Sequence, residues 1–103
     1  MKPLTFKNEY NIKKILWKSR EVQSYCPLGT DYCTYRFEVE MVAGGVLFDY
    51  DVLHEWIDKN INGKVNTREM ACHKLYCLLV KELRPVSLTV RAYNTADNSY
   101  IEI

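Results

Sequence analysis

The stretch Thr34-Tyr35-Arg36-Phe37-Glu38-Val39-Glu40-Met41 decides how this chain is read. Tyr35, Phe37, Val39 and Met41 alternate with Thr34, Arg36, Glu38 and Glu40, the period of two expected of a strand with one buried face. Ala43-Gly44-Gly45 ends it. From Asp49 the period becomes helical. Tyr50, Leu53, Trp56, Ile57 and Ile61 fall near one face, and Asn62-Gly63 supplies a left-handed stop. A second helix begins at Asn66-Thr67-Arg68-Glu69, with Asn66 expected as its N-cap and Glu69 reaching back as in a capping box. Cys72, Leu75, Tyr76, Leu79 and Leu83 form its buried stripe. Arg84-Pro85 ends it, because proline disfavours helical backbone at the residue before it.

Val86 to Tyr93 alternates again, with Val86, Leu88, Val90 and Ala92 on one face. Asn94-Thr95-Ala96-Asp97-Asn98 is a turn, and Tyr100 to Ile103 a short closing strand. Toward the start, Ile12, Ile15, Leu16, Trp17 and Val22 suit either a strand or a short helix. A strand somewhere in Ile12 to Tyr25 is the expectation. The order strand, strand, helix, helix, strand, strand predicts an α+β domain spanning residues 1–103: a four-stranded antiparallel sheet with both helices on one face. The other face is expected to keep apolar positions that one copy cannot cover. That favours a homo-oligomer with edge strands pairing between subunits.

Composition narrows the function classes. The chain has 103 residues, 48% apolar and 26% charged, as in an ordinary one-core globule. Fourteen Lys and Arg against thirteen Asp and Glu give +1, far from the basic excess of a domain held mainly by phosphate contacts. No apolar run is long enough to span a membrane. The start lacks the apolar core of a secretory signal, so the expectation is a cytoplasmic protein whose four cysteines stay reduced. No metal is expected: neither C-x-x-C nor H-x-x-x-H occurs, and His54 and His73 sit 19 apart. Cys72 and Cys77 read as helix core or spacer, His54 and His73 as surface.

The segment Ser24-Tyr25-Cys26-Pro27-Leu28-Gly29-Thr30-Asp31 reads as a loop between strands. It carries a cysteine and an aspartate five residues apart, a nucleophile and a group able to move a proton. Tyr25 and Tyr32 could wall a ring pocket beside them. By itself such a pair is weak, since a loop cysteine is most often only a small residue.

Cys26-Pro27, followed by Asp31-Tyr32 and the alternating strand, resembles the Cys-Pro-x-Thr-Gly-x-Pro-Asp-Phe loop of the 7-cyano-7-deazaguanine (nitrile) reductases of the queuosine pathway. Val46-Leu47-Phe48-Asp49 with Leu53 and Trp56, Arg68-Glu69, and the spacing from Glu69 through Pro85 to Val90 are similar to that family as well. The resemblance covers roughly residues 22 to 103 and implies the tunnelling fold. It also implies chemistry: Cys26 attacks the nitrile carbon to give a thioimide, Asp31 moves a proton, and Glu69, flanked by Arg68 and with Tyr32 nearby, holds the purine-like ring.

The chain departs from the pattern in telling places. Its cysteine loop is two residues shorter, so that Cys33 competes with Asp31 for the aspartate position. Arg68 replaces a histidine. Tyr50-Asp51-Val52-Leu53-His54 stands where two lysines and a serine would meet NADPH, and Asp49 and Asp51 would repel its phosphates. These losses resemble the short QueF-like branch, the archaeosine-type amidinotransferases. In that branch ammonia rather than hydride resolves the thioimide, no nicotinamide is used, and the nitrile is set in a nucleic acid such as tRNA. The resemblance thus implies an enzyme without a cofactor acting on 7-cyano-7-deazaguanine, free or in nucleic acid. The alternatives are the NADPH-dependent reductase and a non-catalytic purine binder. The pterin-synthase branch of the same fold needs three zinc histidines. Where its His-x-His should lie stands Asp31-Tyr32-Cys33, so that chemistry is not expected.

Overall fold

The computed structural model describes residues 2–27, 29 and 31–103; Met1, and Leu28 and Thr30 of the cysteine loop, lie outside the described residues. In chain order the elements are β1 (Thr5–Lys7), β2 (Lys14–Lys18), β3 (Val22–Tyr25), β4 (Tyr32–Val42), β5 (Val46–Phe48), α1 (Tyr50–Asn60), α2 (Arg68–Leu83), β6 (Ser87–Asn94) and β7 (Tyr100–Glu102).

The alternating stretch is the spine of the sheet. β4 buries Tyr35, Phe37, Val39 and Met41, and every other strand of the main sheet is arranged on it. β6 pairs along one side, setting Val39 opposite Val90 and Phe37 opposite Ala92. β7 pairs onto β6. The other side of β4 takes two short strands in succession, β2 opposite Glu38–Val42 and β3 opposite Tyr32–Tyr35. The sheet is antiparallel throughout and has five strands, not the expected four.

Ser19 is the reason for the extra strand. Its N–H donates to the Phe37 carbonyl (2.9 Å), while its hydroxyl accepts from the Phe37 N–H (2.9 Å) and donates to the Arg20 carbonyl (2.7 Å). A side chain thus takes the place of a backbone partner. The edge strand breaks at Arg20-Glu21 without orphaning the buried amide of β4. A further small sheet, β1 with β5, has no counterpart in the sequence reading, because strands of three residues are too short to show a period.

Both helices supply the inner layer. Leu53, Ile57 and Ile61 of the first helical segment, and Ala71, Cys72, Leu75, Leu79 and Leu83 of α2, pack with the inward side chains of β2, β4 and β6. Asp49 caps α1, its Oδ1 accepting the N–H groups of Asp51 (3.0 Å) and Val52 (3.1 Å). Tyr50, expected inside, is instead half exposed and stacks on Trp17 at 6.5 Å. His54 is less solvated than expected: Nε2 accepts the Arg20 N–H (3.3 Å), and the ring lies 5.0 Å from Trp17.

The cap of α2 is Thr67, not Asn66. The Thr67 hydroxyl accepts the Met70 N–H at 3.0 Å, which makes Glu69 the second helical residue and leaves the capping box unformed. Asn66 is fully buried for another purpose, described below. At the far end Arg84 takes a left-handed conformation (φ 45°), and Val86 lies exposed before β6 begins at Ser87.

The outer face of the sheet keeps uncovered apolar and aromatic side chains as expected (Leu16, Tyr25, Tyr32, Val42 and Tyr100), and a charge ladder runs among them. Arg91 bonds Glu102 (2.7 Å), Glu40 (3.3 Å) and Glu38 (3.4 Å), and Lys14 pairs with Glu40 (3.4 Å). The outward positions of β4 alternate with the buried ones, and evenly spaced acids there meet bases from the neighbouring strands. Among the described residues no helix is long and apolar enough to cross a membrane.

Two substitutions test this account. Ser19→Ala leaves the Phe37 amide unpaired and is expected to cost about 1–3 kcal/mol, read as a lowered urea midpoint. Thr67→Ala is expected to cost about 1 kcal/mol; a neutral Thr67→Ala would return the cap to Asn66.

Candidate functional site

Cys26 follows β3 and Asp31 precedes β4, and the two continue the ladder by one pair. Ser24 lies opposite Cys33 and Tyr25 opposite Tyr32; the next rung is the Cys26 N–H donating to the Asp31 carbonyl at 3.2 Å. Residues directly opposite on antiparallel strands project to the same side with Cβ atoms about 5 Å apart. The backbone bond therefore places Cys26 and Asp31 across from one another, on one side of the hairpin at its mouth. The Gly29 N–H returns to the Cys26 carbonyl at 3.3 Å. Cys26 is half-buried and Asp31 exposed. Ser24 and Tyr25, expected in the loop, are the end of β3.

Across the turn, the backbone neighbour of Cys26 is Asp31. Cys33 belongs two rungs' alternation away, opposite Ser24 and against the core. Tyr25 and Tyr32, both exposed, meet edge-on with centroids 6.1 Å apart, forming an aromatic rim on the outer side of the same hairpin.

Beneath the hairpin runs a buried polar tie. Ser24 Oγ shares a hydrogen with the Tyr35 hydroxyl (2.8 Å) and donates to the Asn66 carbonyl (3.0 Å). Asn66 Oδ1 accepts from Lys74 Nζ (2.8 Å). Burial pushes the Tyr35 hydroxyl above its ordinary ionisation, and the bond to Ser24 opposes that. Outside the tie, the Tyr25 N–H donates to the Lys64 carbonyl (2.8 Å) and the Asn66 N–H to the Tyr25 carbonyl (3.0 Å). The end of β3 is thereby fastened to the start of α2. Asn66 Nδ2 is buried with no partner among the described residues.

Arg68 and Glu69 stand on that first turn of α2 but are not drawn into the hairpin. Arg68 Nη1 reaches the other way, to the Ser99 hydroxyl (3.3 Å) and carbonyl (3.4 Å). Glu69 is exposed, and among the described residues no hydrogen bond joins it to Cys26 or Asp31. One chain thus places Cys26 across the turn from Asp31, puts Tyr32 on the other face of the hairpin, and leaves Arg68 and Glu69 on the adjoining surface.

The sequence reading passed over a second concavity. A cleft of about 560 Å³ opens on the outer sheet face between Lys18, Arg36, Glu38, Tyr93 and Asn98. Glu38 is buried there despite its charge, and its carboxylate raises the ionisation of the Tyr93 hydroxyl. An acceptor carboxylate beside an aromatic ring and two cations suits a flat polar ligand. The signal was present in the alternation, which puts Arg36 and Glu38 on one face; the depth of the face was not. Arg36 and Tyr32 share that face four residues apart, about 13 Å along the strand. No group of three or more metal-ligating side chains occurs among the described residues.

The fold resembles that of a solved synthase. The crystal structure of the archaeosine synthase QueF-Like in the apo form matches this chain with a TM-score of 0.75, over 89% of this chain and 90% of that one, at 15% sequence identity. No family model matches the chain, and no curated protein does. The likeness to QueF-Like is one of architecture: two helices against a multi-stranded antiparallel sheet, at a similar chain length.

The four cysteines, all free, sort by environment. Cys72 is wholly buried, and burial pushes its thiol up to about 11. Cys77 is exposed; Cys26 and Cys33 are intermediate. Alkylation of the folded protein near neutral pH should therefore label Cys77 and Cys26 before Cys33 and spare Cys72 until the chain unfolds, as read by peptide mass mapping. A thiol whose folded value is raised favours the folded state only until the unfolded thiol begins to ionise. The Cys72 contribution should hold below pH 9.0 and be lost as pH rises toward about 11. Cys72→Ala should remove that part of the alkaline loss.

Proposed function

We propose that the chain is a 7-deazaguanine-modifying enzyme of the tunnelling fold, with Cys26 as nucleophile and Asp31 as proton donor. The observation that supports this reading is the backbone bond from Cys26 to Asp31 just beyond the β3–β4 ladder, with the two residues facing one another across a hairpin mouth. The likeness in fold to an archaeosine synthase and the Cys-Pro…Asp resemblance support it. Cys26 Sγ adds to the nitrile carbon of 7-cyano-7-deazaguanine while the nitrile nitrogen takes a proton from Asp31, giving a thioimide. Ammonia then adds to that carbon and gives a proton back to the Asp31 carboxylate, the carbon–sulfur bond breaks, and an amidine leaves with the thiolate restored. Glu69 with Arg68 anchors the ring from a second subunit, since within one chain Arg68 reaches Ser99 and, among the described residues, no hydrogen bond joins Glu69 to Cys26 or Asp31; Tyr32 lies on the other face of the hairpin from Cys26.

No nicotinamide is needed for this route. Asp49 already fills the N-terminus of α1, the place where the resemblance puts phosphate-binding lysines. A non-catalytic binder is the second reading. It is favoured by one feature: among the described residues no side chain hydrogen-bonds the Cys26 thiol.

Incubating the protein with 7-cyano-7-deazaguanine should add the mass of the ligand to the chain, and Cys26→Ala should abolish that adduct. Binding that survives Cys26→Ala without any adduct on the native protein selects the binder. An adduct that persists in Cys26→Ala removes Cys26 from the mechanism. In the enzyme reading Asp31→Asn should slow adduct formation by about 10²-fold or more, while Glu69→Ala should weaken binding.

A further inference from the structure

The exposed side of α2 carries a second, unrelated constellation. Cys77 Sγ lies 3.6 Å from His73 Nε2 and 3.9 Å from Nδ1, and both residues are exposed. Side chains four apart on a helix stand on one face, the spacing by which a single helix presents two ligands to one zinc ion. Zinc bonds of about 2.3 Å to sulfur and about 2.0–2.1 Å to nitrogen, at the tetrahedral angle, place the two ligand atoms about 3.6 Å apart. The observed Sγ···Nε2 separation is that edge of the tetrahedron.

Two ligands make half a tetrahedral site, and the same helix face indicates what supplies the rest. Met70, His73, Cys77 and Val80 follow the three–four–three spacing of a helix-pairing seam, diametrically opposite Leu75 on the buried stripe. Met70 and Val80 are large apolar side chains left 46% and 39% exposed. Lys74, beside the seam, is drawn off it to Asn66 Oδ1. A two-fold axis at the level of Leu75 pairs α2 with a second α2 running antiparallel. It sets Met70 against the partner's Val80, and His73 against the partner's Cys77. Two thiolates and two imidazoles then surround the axis.

We propose that His73 and Cys77 are half of a zinc site that a second copy of this chain completes as Cys₂His₂, joining two subunits through α2. Thiolate and imidazole are the donors zinc favours in closed structural sites. Binding releases the two thiol protons and buries Met70 and Val80 at the seam. The site lies apart from the Cys26 hairpin and does not depend on the function proposed for it.

The test is sedimentation of the purified chain with zinc added and then chelated, alongside cobalt substitution. Zinc should drive dimerisation with one metal per pair of chains, and chelation should reverse it. Cobalt should give the intense sulfur-to-metal absorption of a tetrahedral thiolate site. Cys77→Ser and His73→Gln alter exposed positions, and far-ultraviolet circular dichroism checks that they fold. Each should weaken metal-driven dimerisation by about tenfold or more, whereas Cys26→Ala should leave it unchanged. Zinc that binds single chains without associating them overturns the proposal, as does metal-driven dimerisation that survives both variants. A dimer indifferent to zinc and chelator overturns it too.

Discussion

The candidate site depends on one buried tie. Ser24, opposite Cys33 on the β3–β4 hairpin, is bonded to Tyr35 inside the sheet and to the Asn66 carbonyl at the entry to α2. Three elements distant in sequence meet in those two bonds. Each of the groups is buried, so each bond left unmade would cost about 1–3 kcal/mol. That penalty fixes the register at the end of β3, and the register in turn sets Cys26 across from Asp31. A slip of one residue would move every side chain of the hairpin to the other face. The thiol would then face the outer side, and Tyr25 the core.

The fold was legible where periodicity had room to express itself. The eight residues from Thr34 to Met41 announced β4, and the apolar positions of α2 and β6 named most of the core. What stayed hidden lies at shorter range. The Ser19 hydroxyl that divides the edge strand into β2 and β3 acts through a single pair of hydrogen bonds, and no alternation records it. β1 and β5 are too short to carry a pattern. Asn66 and Thr67 are both good caps by residue type. Choosing between them required knowing that Asn66 is claimed by Ser24, Tyr25 and Lys74, which is a tertiary fact.

The outer sheet face shows the limit of reading a strand by polarity alone. Thr34, Arg36, Glu38 and Glu40 were legible as the face away from the helices, but whether that face is open or occupied depends on its cross-strand neighbours. Arg91 comes from β6 and Lys14 from β2, and together they hold Glu40 below the usual carboxylate range, Arg91 contributing most. Exposed pairs of this kind add little stability. Their effect is on specificity. Pairing each acid with a base gives the face a fixed order of charges, and an approaching surface or ligand must match that order. Glu38 is the buried member of this ladder: it pairs with Arg91 and Lys18 and also lines the cleft with Tyr93.

The site residues divide along the same line. Cys26, Asp31 and Tyr32 were named from local sequence; the hairpin brings the backbones of Cys26 and Asp31 together and turns Tyr32 to its other face. Arg68 and Glu69 were named from the resemblance alone, and local structure does not bring them in. A pocket needing all five must draw its second half from another copy, which matches how little volume a chain of 103 residues can enclose. The His73–Cys77 pair escaped sequence reading for the opposite reason. Like ligands at fixed spacing stand out as a motif, whereas one histidine and one cysteine a helical turn apart read as ordinary surface. What the sequence does not record is that the two side chains meet, sulfur to nitrogen at 3.6 Å. Both proposed sites draw on a second copy, so the association state of the chain is the measurement that bears on both.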